Sequence, residues 1–229
     1  MTSQSLSDRV RAGLAAVAKP ERARQMQVYM KSPLPYLGVS AVPMRQVCKS
    51  LFADLRYTNP ESWQDDVLEI WRNARFREEF YAAIELCSIR AARPFQRIAA
   101  LPLYKEMILG AAGWDVTDAI AGNHLGIILA NDRPAMTKAM LAWSVDENMW
   151  LRRSAIICQL KAKEKTDLAL LYAAIEPSIG SKEFFLRKAI GWALRQYSRT
   201  NPTEVKRYVA ENEIRLSGLS KREALKTIT

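Results

Sequence analysis

An Ala-Ile pair recurs along this chain at Ala83-Ile84, Ala119-Ile120, Ala155-Ile156 and Ala189-Ile190, in steps of 36, 36 and 34 residues. Five residues before three of the pairs stands an aromatic: Trp114, Trp150 and Phe184. Leu151-Arg152-Arg153-Ser154 matches Leu186-Arg187-Lys188-Ala189 at a step of 35. A period of this length fits two helices and their turns, the unit of an α-solenoid. The small Ala lets helices approach closely, while the Ile fills the space between neighbouring repeats. If the Ala-Ile helices line the concave side of such a stack, Asp118, Arg153 and Lys188 lie near matching places on it.

The local pattern agrees with helix throughout. Nine glycines in 229 residues is about half the usual ~7%. Ten prolines punctuate stretches rich in Ala, Leu, Arg, Lys and Glu, which are good helix formers. Strict apolar/polar alternation, the mark of a half-buried strand, is nearly absent. Leu6, Val10, Leu14 and Val17 form one apolar stripe after Ser5 as a cap. Val47, Leu51 and Leu55 follow the same rule after Pro43. Trp63, Val67, Ile70 and Trp71 share a face behind the cap-like Asn59-Pro60-Glu61, and Asn201-Pro202-Thr203-Glu204 repeats that start signal. The expected fold is all-α, one solenoid domain of helical repeats over residues 1–229.

Charge and composition restrict what such a scaffold does. Lys+Arg 34 against Asp+Glu 24 gives a net charge of +10, as in proteins that meet a polyanion, nucleic acid being the commonest. Cys48, Cys87 and Cys158 are far apart without a CxxC pair and read as small buried residues in a reducing compartment. A single histidine, His124, removes His-based zinc sites and makes a histidine triad improbable, so no metal or cofactor is expected. The first ten residues lack the apolar core of a leader, and no apolar run approaches the ~20 residues of a membrane span. The expectation is a cytoplasmic protein without membrane partners, a monomer by default.

No phosphate loop, GxGxxG, HExxH or GxSxG is present, so any chemistry must rest on carboxylates or hydroxyls. Trp114-Asp115-Val116-Thr117-Asp118 puts an indole and a carboxylate four residues apart on one helical face. Spacing alone leaves two readings open: Asp115 caps the helix and Asp118 pairs with a nearby arginine, or the indole and carboxylate form a site. Phe184-Phe185-Leu186-Arg187-Lys188-Ala189-Ile190-Gly191-Trp192-Ala193-Leu194-Arg195 interleaves aromatic and basic residues, with Lys188 and Arg195 two turns apart on one stripe. That suits phosphate contact beside a stacked base, or a core helix with solvated charges.

These runs, together with Asn148-Met149-Trp150-Leu151-Arg152-Arg153, resemble the AlkD-type DNA alkylation repair family, glycosylases built from HEAT-like repeats. Tyr29-Met30-Lys31, Leu37-Gly38-Val39 with Arg45 after it, and Leu219-Ser220-Lys221-Arg222-Glu223-Ala224 extend the likeness over about residues 20–228. The resemblance implies a concave basic cleft for double-stranded DNA. It implies that Asp118 is the catalytic carboxylate and that Trp114 and Trp192 wall the lesion site. Tyr29, Arg45, Arg153, Lys188 and Arg195 form the expected DNA-binding set, with Arg153 near a phosphate beside the lesion.

The implied reaction is hydrolysis of the N-glycosidic bond of N3- or N7-alkylated purines such as 3-methyladenine and 7-methylguanine, as a monofunctional glycosylase of base excision repair. The alternative is a HEAT-like DNA-binding or scaffold module without catalysis. A pure DNA binder gains nothing from a carboxylate facing phosphates, so Asp118 favours the enzyme.

Overall fold

The computed structural model describes residues 4–228, and every regular element among them is helical. The chain divides into two compact units, Met1–Leu103 and Tyr104–Thr229. The first holds α1 (Leu6–Ala15), α2 (Pro20–Met30), α3 (Ala41–Phe52), α4 (Pro60–Arg72), α5 (Arg77–Ser88) and two 3-10 turns. The boundary falls within α6 (Leu101–Ala111). The second unit continues with α7 (Trp114–Ile120), a π-helical turn (Ala121–Leu125), α8 (Gly126–Asn131), α9 (Arg133–Ser144), α10 (Met149–Ile157), α11 (Leu168–Ile175), α12 (Phe184–Ser198), α13 (Pro202–Glu211) and α14 (Gly218–Leu225).

The start signals in the sequence are the ones the helices use. Ser5 accepts from the Asp8 amide at 3.2 Å, Asn59 from Ser62 at 2.8 Å and Asn201 from Glu204 at 3.0 Å, each satisfying a backbone donor in the first turn. Pro60 and Pro202 occupy the first helical position, where no amide proton is missed. The α3 expectation needs correction. Pro43 lies inside its first turn, Leu55 lies beyond its end, and the buried stripe is Met44, Cys48 and Phe52. Val47 and Leu51 instead flank Gly13 of α1, where a Cβ would stand 2.8 Å from the Val47 side chain.

In the first unit Trp63, Val67, Ile70 and Trp71 are all buried, and Trp71 stacks on Phe80 with ring centroids 3.9 Å apart. The fully buried Glu78 accepts from the amides of Leu37, Gly38 and Val39 at 2.9–3.1 Å. Gly38 has φ of +83°, and a Cβ there would lie 2.0 Å from the Lys19 carbonyl, so no other residue fits. The Leu37-Gly38-Val39 run is thus an anchor for the segment leading into α3.

The second unit carries three of the four Ala-Ile pairs. Helix α10 lies against α7 on one side and α12 on the other, and α12 lies against α14. Helices α9 and α11 cover α10, and α13 covers α12 and α14. The Ala-Ile pairs fall on α5, α7, α10 and α12, buried except for the half-buried Ala119. Gly126 marks a close crossing: a Cβ there would lie 2.7 Å from the Cys158 carbonyl. His124, in the π turn, is buried and stacks on Tyr104 at 5.1 Å.

Candidate active site

Trp114 is the first residue of α7 and Asp118 stands one turn further on, both half-buried. The Asp118 carboxylate receives a bidentate pair from Arg153 of α10: Nε donates to Oδ1 at 2.7 Å and Nη2 to Oδ2 at 2.8 Å. Arg153 Nη1 donates to the Phe185 carbonyl of α12 at 2.5 Å. Its guanidinium carbon lies 6.0 Å from the Phe185 ring centroid. One side chain therefore ties three adjacent helices together. The fork geometry of guanidinium on carboxylate fixes the plane and position of both groups.

Burial makes this pair consequential. The side chain of Arg153 is 6% exposed and that of Asp118 16%. Burial raises the Asp118 carboxyl above the ordinary aspartate range, and the nearby Asp115 acts in the same direction. The hydrogen bonds and charge of Arg153 pull it back. Each partner is the other's compensation, since a charge left alone at such a site is strongly unfavourable. Behind them Phe185 packs on the buried Trp150 at 5.0 Å and meets Phe184 edge-on at 5.4 Å.

Trp192 lies on α12, half-buried, on the stripe that also carries Lys188 and Arg195. Both of these cations reach Glu223 of α14: Lys188 Nζ stands 2.9 Å from Oε1, and Arg195 Nη1 donates to Oε2 at 2.5 Å. Tyr29 and Arg45 belong to the first unit. Tyr29 is 74% exposed on α2, a helix with no buried residue. Arg45 pairs with Glu85 of α5 at 3.2 Å. The geometry therefore brings Asp118 and Arg153 into contact, sets Trp114 one turn from Asp118, and engages Arg45, Lys188 and Arg195 with glutamates.

Two participants were missed from sequence, the Phe185 carbonyl and Glu223. The signal for Glu223 was present: Asp118, Arg153, Lys188 and Glu223 follow one another at steps of 35 residues. Arg152 and Arg187 precede two of these positions, and their Nε atoms are shut off from solvent without a hydrogen-bond partner among the described residues.

The alternatives for chemistry are thin. Among the described residues no three His, Cys, Asp or Glu side chains cluster to hold a metal. Cys48, Cys87 and Cys158 are buried and unbridged; burial pushes the Cys48 and Cys158 thiols up to about 12, which keeps them protonated. A cavity of about 470 Å³ near the C-terminal ends of α10 and α12 is lined by Ile156, Leu160, Lys161, Ala193 and Tyr197 among others, and by none of the expected site residues.

Residues 10–228 match the model of a protein family described as DNA alkylation repair enzyme. The chain belongs to that family. A solved structure described as a predicted DNA alkylation repair enzyme from Enterococcus faecalis is similar over 93% of this chain and 97% of its own, with 32% identity and a TM-score of 0.81. No curated protein sequence matches the chain. Membership of the DNA alkylation repair enzymes assigns a role in alkylation repair and DNA as the substrate. Among the described residues no helix is long and apolar enough to cross a membrane.

Proposed function

We propose that this DNA alkylation repair enzyme is a monofunctional glycosylase that hydrolyses the N-glycosidic bond of cationic N3- or N7-alkylated purines in duplex DNA. The observation that carries the reading is the Asp118 carboxylate, held in one orientation by the buried Arg153 and one helical turn from Trp114.

Alkylation at N3 or N7 gives the base a positive charge. Cleavage of the bond from C1′ to the base nitrogen then releases a neutral base, the electron pair going to that nitrogen, and no general acid is required. The sugar left behind approaches an oxocarbenium ion, and water adds to C1′ with loss of one proton. A fixed carboxylate stabilises that developing charge without reorganising at the moment of reaction. Asp118 fills this role and orients the water, while Arg153 holds it in place. Trp114 and Trp192 present electron-rich faces to the cationic base or sugar, a contact of about 0.5–2 kcal/mol that a neutral base does not receive.

The chain's net charge of +10 supports electrostatic binding of the duplex. Tyr29, Arg45, Lys188 and Arg195 remain in the proposed DNA-binding set, and Arg153 acts at the lesion through Asp118. The enzyme acts as a cytoplasmic monomer, without metal or cofactor, because the substrate already carries its charge.

A second reading has one observation in its favour. Both Asp118 oxygens are engaged by Arg153, which also suits a purely structural clamp in a non-catalytic DNA-binding module. Release of 3-methyladenine and 7-methylguanine from methylated duplex, with Asp118→Asn beside the wild type, separates the two. Release by the wild type alone is the expected result; equal release by both removes Asp118 from the chemistry. No release, with salt-sensitive duplex binding intact, favours the binding module.

A further inference from the structure

The charge row at steps of 35 residues has a second half. Asp118 and Arg153 pair across α7 and α10, and Lys188 and Glu223 pair across α12 and α14. Glu223 also takes Arg195, so one carboxylate neutralises part of a two-cation cluster on the stripe that carries Trp192. Its side chain is 15% exposed. The hydrogen bond from Lys188 holds its carboxyl below the usual glutamate range, with the charges of Lys188, Arg195 and Lys226 acting the same way against burial. Glu223 is ionised at neutral pH.

The fork is not the main thing that holds α14 in place. Gly191 gives α14 direct access to α12: a Cβ there would lie 2.4 Å from the Glu223 Cβ and 2.9 Å from the Ser220 carbonyl. Ser220 Oγ donates to the Arg187 carbonyl at 3.0 Å, and Ser217 caps the helix. Glu223 is moreover the single acid of α14, among Lys221, Arg222 and, just beyond, Lys226. A lone carboxylate inserted among cations beside a DNA-facing stripe opposes the binding of any phosphate there.

We propose that Glu223 is a specificity-determining residue, an internal counter-ion that keeps Lys188 and Arg195 from gripping undamaged DNA. The proposal rests on the reading that the Trp192 stripe faces the duplex. Phosphate contacts carry no information about damage; each adds affinity with a salt slope of about 0.9. A phosphate arriving at Lys188 or Arg195 must first displace Glu223, exchanging one anion for another at little gain. Affinity at this stripe then depends on the lesion and its aromatic contacts rather than on backbone charge.

The experiment measures equilibrium binding of an undamaged duplex from 50 to 200 mM salt for wild type, Glu223→Gln and Glu211→Gln. The last removes the same charge from α13, where Glu211 pairs with Arg207. Glu223→Gln is expected to tighten binding about tenfold at low salt and to steepen the salt slope by about 1 to 2, with a much smaller change in Glu211→Gln. Adding Lys188→Gln to Glu223→Gln should take back about half of the gain.

Equal shifts in the two single variants, or none in Glu223→Gln, overturn the proposal. If Glu223→Gln does not fold, Glu223→Asp is read instead. It keeps the charge, withdraws the carboxylate by one methylene, and is expected to move the slope in the same direction. Failure of both to fold assigns the fork to structure and also overturns it. Base release by the wild type with unchanged slopes sinks this proposal alone, whereas a steepened slope without base release leaves it standing and sinks the glycosylase reading. Absence of duplex binding in every protein removes both.

Discussion

Asp118 is shaped by three opposing influences, and its chemistry follows from their balance. Burial and Asp115 raise its carboxyl, and Arg153 lowers it. Because the net effect is upward, the carboxylate is lost at a higher pH than an ordinary aspartate of about 3.9. Base release should therefore fall as pH drops through that raised value and stay level above it. A pH profile of single-turnover release measures the limb, and a limb at or below the ordinary aspartate value counts against Asp118 as the group involved. Asp118→Asn should cost about two to three powers of ten in release rate while leaving duplex affinity equal or higher. Arg153→Lys keeps the charge but cannot form the fork and the Phe185 bond together. It should slow release by more than it weakens duplex binding.

At the scale of elements, the legible and illegible parts of the sequence separate for physical reasons. Caps and first-turn prolines act within four residues, so Ser5, Asn59-Pro60 and Asn201-Pro202 could be read directly. The Ala-Ile pairs were legible because they repeat a packing requirement. Pro43 misled because proline is tolerated in a first turn as well as before it. That Asp118 pairs with an arginine was one of the two readings its spacing left open, but which partner each charge takes was not legible, since it depends on which helices become neighbours: Arg153 reaches back to Asp118, whereas Lys188 reaches forward to Glu223.

The π turn at Ala121–Leu125, which lies near α10, had no signal either. That region gives two predictions. Gly126→Ala would press a Cβ onto the Cys158 carbonyl at 2.7 Å and should cost about 1–3 kcal/mol in urea unfolding. His124 is lowered from 6.5 to about 4 by burial, with Lys161 adding to it. Between those values the unfolded chain binds a proton that the folded chain refuses. Stability should thus be full above pH 6.5 and fall by about 2 kcal/mol from pH 7 to pH 5. His124→Phe, which keeps a ring against Tyr104, should abolish that dependence.

Over the whole molecule, a charge of +10 states that a polyanion is welcome but not which cations receive it. Several arginines are already committed: Arg11 to Glu79, Arg153 to Asp118, Arg207 to Glu204 and Glu211. A cation that stays with its carboxylate neutralises no phosphate and so displaces no counter-ion from the DNA, and net charge therefore overstates the number of phosphate contacts. Arg152 and Arg187 differ, with Nε atoms lacking a hydrogen-bond partner among the described residues and placed one repeat apart on α10 and α12. Both side chains are half-buried, so ordering them against a phosphate costs little further entropy. Arg152→Gln and Arg187→Gln should each lower the salt slope of duplex binding by about 0.9, whatever the base sequence or damage. Arg207→Gln, equal in charge lost but drawn from an ion pair on α13, should leave the slope unchanged. Equal slopes for all three variants would mean that net charge alone, and not Arg152 and Arg187, sets the affinity.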